Sequence, residues 1–333
     1  MKKALRIIGI NLAVCVVLVL ALEVGLRAGE LYGLLPKIHP DVKNGITWLE
    51  YDSTNDIWRN RKSKSDFPFT IDAAGNRDVV AGKKDGALRV ACVGDSGTFG
   101  VWKEGDNLRF DSFVDHLAAL TQLHVENFGT VGHTTHEGII RMREMSPDVD
   151  VVIARFGWND HARASTVHRP ASAILRHVST ARLVESTGPH VSETELRANV
   201  LEMARIAHDR GQRLIWADYP VHLANENISL PIHMRRGYVR DLAELDKLHA
   251  RYQKIIEDAC RDAGIEFVRT GLDADCFSPD DAMHPNALGC ERIAGVLAGV
   301  IGNNVDAESH NGEITPLPGT NDQALFQRSD PRR

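Results

Sequence analysis

Leu88-Arg-Val-Ala-Cys-Val-Gly-Asp-Ser-Gly97 joins an apolar run to a glycine-flanked serine, and this stretch decides the fold. The run from Leu88 to Val93 is rich in β-formers and predicts a buried strand that ends at Gly94. Ser96 therefore follows the carboxyl end of a strand, where a hydroxyl is exposed and backbone N–H groups lie nearby. This setting suits a nucleophile whose own N–H helps to stabilise an oxyanion. The alternative is an ordinary strand-to-helix turn in which the serine is a cap.

Further strands and helices alternate downstream of this stretch. The pattern predicts four more strands, at 124–128, 149–154, 213–217 and 265–268, and helices at 110–120, 135–145, 193–208, 242–263 and 286–301. Such alternation predicts an α/β fold, a three-layer α/β/α sandwich around a flavodoxin-like, parallel, five-stranded sheet. Functional residues of such sheets lie at the carboxyl ends of the strands.

The rest of the chain is divided by composition. In residues 1–35, Lys2, Lys3 and Arg6 precede an apolar run from Ile7 to Leu22. This pattern predicts an N-terminal transmembrane helix, with the domain that follows it outside the cytoplasm. A cleaved signal peptide is the alternative. We expect an irregular lead-in at 36–86, with a short strand at 67–71, and a catalytic domain at 87–302 with an insertion at 162–191. The polar, proline-containing residues 303–333 predict a disordered tail.

Composition and charge narrow the classes of partner. The chain has 333 residues, 43% of them hydrophobic, and a formal net charge of -6. It can form a sizeable core, and it has no basic field that would favour nucleic acid. Cys260, Cys276 and Cys290 lie near the C-terminal end, and in an oxidising compartment two of them could pair; the sequence does not say whether they do.

A candidate base follows late in the chain, in Asp280-Asp-Ala-Met-His-Pro-Asn286. A carboxylate three residues before a histidine can fold back onto the imidazole Nδ1–H and stabilise the imidazolium that forms when a serine proton is taken. The spacing selects Asp281 as the partner of His284, with Asp280 as the alternative. The other interpretation is a polar loop with an acidic cap before a helix.

Two candidate oxyanion donors follow the intervening strands. Gly132 ends Asn127-Phe-Gly-Thr-Val-Gly132, and its N–H can approach a substrate carbonyl. Asn159 lies in Gly157-Trp-Asn-Asp160 and offers a neutral amide donor. Taken singly, these residues are also typical of a turn and a helix cap.

Together, the four elements resemble the SGNH hydrolase family, also called the GDSL esterases, over roughly residues 87–302. Ser96 matches its Gly-Asp-Ser block, Gly132 its Asn-x-Gly-x-x-Gly block, Asn159 its Gly-x-Asn-Asp block and His284 its Asp-x-x-His block. The resemblance implies a triad of Ser96, His284 and Asp281, an oxyanion hole from Ser96, Gly132 and Asn159, and no cofactor. Gly97 departs from the pattern, since the family often has a bulkier residue there, and it is expected to loosen the turn. Because it has an N-terminal helix and the motif Gly75-Asn-Arg77, the chain resembles a bacterial branch of this family that is anchored in the inner membrane.

The implied reaction is acyl transfer through an acyl-enzyme that water hydrolyses, on short-chain or acetyl esters of envelope carbohydrate or lipid. An O-acyltransferase acting on polysaccharide and a non-catalytic envelope binding protein are the alternatives. His133, His136 and His161 allow a zinc site as a minor hypothesis, although no Cys or carboxylate pattern completes it. The insertion at 162–191 is either a lid or a surface helix pair.

Overall fold

The structure is a computed structural model, and it describes residues 2–31, 46–52, 54–55, 57–65, 67–79, 88–165, 185–223 and 239–308. The strands in these ranges are β1 Leu49–Asp52, β2 Ile57–Asn60, β3 Arg89–Gly94, β4 Val101–Glu104, β5 Asn107–Phe110, β6 His124–Gly129, β7 Val151–Arg155, β8 Arg163–Ser165, β9 Glu185–Pro189, β10 Arg213–Ala217 and β11 Glu266–Val268. The helices are α1 Lys2–Leu31, α2 Ser96–Phe99, α3 Phe113–Thr121, α4 Thr135–Glu144, α5 Glu193–Asp209, α6 Leu242–Asp262 and α7 Ala287–Glu308, with a short 3₁₀ turn at Ala274–Cys276.

Five parallel strands form the central sheet, in the order β11-β10-β7-β3-β6. Successive residues of each strand face opposite sides, so each strand feeds two cores. Ala91 and Val93 pack with α4, α5 and α6, whereas Val90 and Cys92 pack with α3 and α7. The predicted three-layer α/β/α sandwich is confirmed. The five strands and five helices predicted for it are present, and their bounds lie within a few residues of those expected except at the end of α7.

A β-hairpin, β4–β5, was not predicted. The apolar spacing from Phe110 suggested that a helix begins there, but Phe110 is the last residue of β5 and pairs with Val101. The helix α3 begins at Phe113, because the Ser112 hydroxyl accepts a hydrogen bond from the Val114 N–H at 3.1 Å and caps the first turn.

The segment expected to be an irregular lead-in contains regular structure at 49–60. Here β1 and β2 form an antiparallel hairpin, and the strand predicted at 67–71 is absent; only Ile71 makes isolated bridges, to Lys64 and Arg77. This segment has its own buried cluster, which includes two residues of the sheet domain: Trp48, Leu49, Trp58, Phe69, Ile71, Phe99 and Val101. It is packed onto the domain that follows it.

Other expectations fall partly outside the described residues. The ends of the insertion form a short antiparallel pair, β8–β9, and residues 166–184 lie outside the description. α7 continues to Glu308, so the first residues of the expected tail are helical, and 309–333 are not described. All five cysteines are free, and Cys260, Cys276 and Cys290 are buried as thiols. In α1, the stretch Arg6–Gly25 is long and apolar enough to cross a membrane.

Candidate active site

Ser96 lies where β3, an inner strand of the sheet, turns into the short helix α2. The Asp95 carboxylate caps this helix by accepting a hydrogen bond from the Gly97 N–H at 2.9 Å. Ser96 is 7% exposed and opens onto a cleft at the carboxyl edge of the sheet. The strand-to-helix turn therefore presents its hydroxyl at the position that the sequence predicted.

Ser96, His284 and Asp281 form a continuous hydrogen-bonded line, although 188 positions separate the first two. The Ser96 Oγ lies 2.7 Å from Nε2 of His284. The other ring nitrogen, Nδ1, lies 2.8 Å from Oδ2 and 3.0 Å from Oδ1 of Asp281. This is the geometry in which an imidazole can take the hydroxyl proton while a carboxylate fixes its tautomer.

The β4–β5 hairpin holds the loop that carries both groups. The Lys103 N–H donates to Oδ2 of Asp281 at 2.9 Å, and the Gly105 N–H donates to Oδ2 of Asp280 at 2.9 Å. Asp280 is thus used to dock the loop, and Asp281 is the carboxylate that reaches the imidazole of His284. Of the two candidates, the one favoured by spacing, Asp281, is the one that contacts the imidazole in the structure.

The surroundings of His284 and Asp281 favour the charged form of each side chain. Burial by itself lowers the pKa of His284, but the charge and hydrogen bond of Asp281 outweigh it and raise that pKa above its usual value. For Asp281, burial tends to raise the pKa, yet His284 and the N–H groups of Met283 and Lys103 bring it below its usual value. The carboxylate is therefore suited to stabilise an imidazolium.

The three predicted oxyanion donors differ in how they are engaged. Gly132 has φ of 78°, a left-handed conformation that favours glycine, and no hydrogen bond among the described residues uses its N–H or that of Ser96. The Asn159 amide nitrogen instead donates to Oδ2 of Asp95 at 3.1 Å and to the His133 carbonyl at 2.9 Å. Asn159 can reach an oxyanion only by sharing or exchanging one of these bonds.

The cleft beside Ser96 has a volume of about 280 Å³ and largely apolar walls. Its sides come from four parts of the chain: the segment before the sheet, the β4–β5 hairpin, the loop after β6 and the loop of His284. The apolar members of the wall include Ile46, Trp48, Trp102, Leu108, Val131 and Met283. An acyl chain would find a hydrocarbon surface next to the serine hydroxyl.

Three buried residues at the serine turn could not be assigned a role from the sequence. Asp95, in the turn, accepts hydrogen bonds from the Gly97 N–H and the Tyr219 hydroxyl, and Arg155 lies over the Tyr219 ring. One signal was present in the sequence, since Arg155 is a charged residue at the end of an otherwise apolar strand.

The described part of the chain does not bring the three histidines considered for zinc together as ligands. His133 contacts the Trp58 carbonyl through Nε2 at 2.6 Å, whereas His161 lies 2.9 Å from Nδ1 of His249. Within the described ranges, no three His, Cys, Asp or Glu side chains are grouped as metal ligands.

The sheet order and the polar groups at its carboxyl edge define the SGNH hydrolase fold. Proteins of this class are ester hydrolases, and this chain is one of them. The chain belongs to the GDSL-like lipase/acylhydrolase family, whose model matches residues 92–292. No match was found among curated proteins.

Solved structures of esterases are similar in fold. A carbohydrate acetylesterase from Sinorhizobium meliloti is 16% identical with a TM-score of 0.45, covering 65% of this chain and 99% of that one. An acetyl xylan esterase from Geobacillus stearothermophilus is 19% identical with a TM-score of 0.43, covering 67% and 96%. A GDSL-like lipase from Bacteroides thetaiotaomicron is 17% identical with a TM-score of 0.43, covering 68% and 93%. Likenesses this distant do not indicate a shared substrate.

Proposed function

We propose that this protein hydrolyses short-chain acyl esters through an acyl-enzyme on Ser96. The observation that carries the proposal is the unbroken line from the Ser96 hydroxyl through His284 to Asp281, beside an apolar cleft. Ser96 attacks the ester carbonyl, and its proton passes to Nε2 of His284. His284 then protonates the leaving alcohol, and a water molecule activated by the same imidazole releases the acid.

The oxyanion that forms in each step needs donors placed before the reaction. The N–H groups of Ser96 and Gly132 supply two of them in this proposal. The Asn159 side chain supplies a third when its bond to Asp95 or to His133 is exchanged. Each such donor contributes about 10²–10³ to the rate in related chemistry.

The size of the cleft supports a short acyl group. A dry cavity of about 150 Å³ holds one benzene molecule, so a space of about 280 Å³ takes an acyl chain of several carbons rather than a long lipid chain. Trp102 and Leu108 line this space, and Trp102→Ala is expected to shift preference toward longer chains.

The N-terminal helix supports a place at a membrane. Arg6–Gly25 spans about 30 Å as a helix, the thickness of a bilayer core. In this proposal the enzyme is anchored in a bacterial inner membrane, with its domain outside, and acts on envelope carbohydrate or lipid. Release of the full-length protein by alkaline carbonate, or a mature N-terminus beyond the helix, would contradict the anchor.

The test of the reaction uses the full-length protein in detergent. A fluorophosphonate probe should label the wild type, and p-nitrophenyl acetate and butyrate should be hydrolysed. Ser96→Ala should abolish labelling and lower hydrolysis by about 10⁴-fold or more. Ser146→Ala is the matched control, because this serine lies outside the cleft and bonds to Asp148. Labelling that persists in Ser96→Ala would overturn the assignment.

A further inference from the structure

Arg155 is a fully buried cation next to the serine turn. It ends β7, its side chain has no solvent exposure, and its guanidinium carbon lies 4.0 Å from the centre of the Tyr219 ring. Nε donates to the Asp218 carbonyl at 3.2 Å, but neither Nη1 nor Nη2 has a hydrogen-bond partner among the described residues. A buried charge with so few partners is costly and needs electrostatic compensation nearby.

Gly97 is the residue that admits this guanidinium. A Cβ on Gly97 would lie 2.4 Å from Nη1 of Arg155, 3.0 Å from the Tyr219 hydroxyl and 3.4 Å from Oδ1 of Asp95. At the first distance a Cβ and the guanidinium could not both keep their places, so the end of the Arg155 side chain would have to move. The space that a larger residue would fill at this position is thus taken by Arg155. The turn at Gly97 is packed, contrary to the expectation that glycine loosens it.

Asp95 contributes the buried carboxyl group of the same cluster. Its Oδ1 accepts hydrogen bonds from the Gly97 N–H at 2.9 Å and the Tyr219 hydroxyl at 3.1 Å, and its Oδ2 accepts one from the Asn159 amide at 3.1 Å. Burial raises the pKa of Asp95, and the charges of Arg155 and His284, with the hydrogen bonds from Gly97 and Tyr219, oppose that rise. The carboxylate thus connects the serine turn to the proposed oxyanion donor Asn159.

Other titratable groups face the cluster from the elements packed around it. His284 comes from the loop before α7, Cys290 from α7 itself and His249 from α6. The charge of Arg155 lowers the pKa of His284, against the opposing effect of Asp281. A change at Arg155 is therefore measurable at the imidazole.

We propose that Arg155 and Gly97 act as a pair of positioning residues. Because Gly97 has no side chain, the Arg155 guanidinium fits beneath the serine turn. Its charge there compensates the Asp95 carboxylate, which binds the Asn159 amide and the Gly97 N–H. The inference rests on the proposed function for its catalytic consequence. The effect of the Arg155 charge on Asp95 and His284 does not depend on any reaction.

The experiment compares Arg155→Met, Arg155→Lys and Arg141→Met in the full-length protein. The His284 ring is titrated by NMR with ¹³C-labelled histidine and assigned through His284→Asn, while the rate of fluorophosphonate labelling is followed against pH. In Arg155→Met, the His284 titration and the acid limb of labelling should move to higher pH. The plateau rate should fall by about ten-fold or more, less than the loss of a direct oxyanion donor.

The two comparison variants separate charge from packing. Arg155→Lys keeps the charge and should return the titration toward the wild type. Arg141 is a second buried arginine, away from the cleft, so Arg141→Met should lower Tm and leave the His284 titration unchanged. A purely structural role for Arg155 predicts that Arg155→Met behaves like Arg141→Met, and that result would overturn the proposal.

Gly97→Ala tests the pairing and does not require Arg155→Met to fold. The added methyl group should displace the guanidinium, slow labelling and move the His284 titration in the same direction. In the double variant Gly97→Ala/Arg155→Met the two losses should not add, since both remove one interaction. Additive losses, or a wild-type titration in Gly97→Ala, would contradict the pair. Titration shifts without any labelling of the wild type would contradict the proposed function instead.

Discussion

His284 is subject to two opposing influences at the scale of single residues. Burial disfavours its charged form, whereas Asp281 favours that form and prevails, so that the pKa of the imidazole is raised. A base must be neutral to accept the Ser96 proton. Activity should therefore increase with pH through a limb that lies above the usual histidine value of about 6.5.

Asp281→Asn is expected to move this limb to lower pH. Without the carboxylate, burial is the largest remaining influence, and it lowers the pKa of His284. The plateau of kcat should also fall by roughly 10⁴-fold, because the imidazolium loses its partner and the tautomer is no longer fixed. The measurement is the pH dependence of kcat/KM for p-nitrophenyl acetate.

The neighbouring carboxylate provides the control for this change. Asp280→Asn removes an equal charge one residue away, but Asp280 contacts the Gly105 N–H and not the imidazole. Its acid limb should stay near that of the wild type, with a loss of activity no greater than about ten-fold. Equal effects of the two substitutions would show that the pKa of His284 is set by the total negative charge nearby and not by the hydrogen bond between Asp281 and Nδ1.

Some of this chemistry could be predicted from the sequence and some could not. The spacing of Asp281 and His284 is local, so a single loop brings them together and the sequence reports it. Asp95, Arg155 and Tyr219 meet from three separate elements. Their contact depends on sheet order and on the free space at Gly97, which no local pattern encodes.

At the scale of elements, the β4–β5 hairpin links the proposed acyl cleft to the loop that carries Asp280, Asp281 and His284. Its outer residues Trp102 and Leu108 line the cleft, while its backbone N–H groups bind the carboxylates of Asp280 and Asp281. The hairpin is not evident from the sequence, because the apolar residues that follow it continue at helical spacing. Only the Ser112 cap shows where α3 begins.

Lys103→Pro is expected to weaken catalysis by removing one N–H donor. Proline has no N–H, so Oδ2 of Asp281 loses a hydrogen bond of the charged type, worth about 1.5–3 kcal/mol. The pKa of Asp281 should rise and kcat should fall by about ten-fold or more, with thermal unfolding monitored in parallel. Lys103→Ala keeps the backbone donor and should retain nearly full activity. Equal losses in the two variants would assign the effect to the lysine side chain.

At the scale of the whole molecule, residues 46–79 are part of the structure that holds the serine turn. Arg77 donates from Nη1 to the carbonyls of Phe99 and Gly100, at the C-terminal end of α2, and from Nη2 to Asp115 at 3.2 Å. Its guanidinium also lies 5.5 Å from the centre of the Phe99 ring. The sequence marked Gly75-Asn-Arg77 as a motif, but the carbonyls it binds could not be identified before the turn was placed in space.

Arg77→Met should therefore affect stability and activity together. The buried carbonyls of Phe99 and Gly100 and the Asp115 carboxylate lose a charged donor, which corresponds to about 2–4 kcal/mol of unfolding free energy. The helix that begins at Ser96 also loses its C-terminal attachment, so fluorophosphonate labelling should slow even well below Tm. Arg197→Met removes an exposed ion pair with Asp262 and should change stability by less than about 1 kcal/mol. If Arg77→Met lowered Tm but labelled at the wild-type rate, the segment before the sheet would support the fold without positioning the nucleophile.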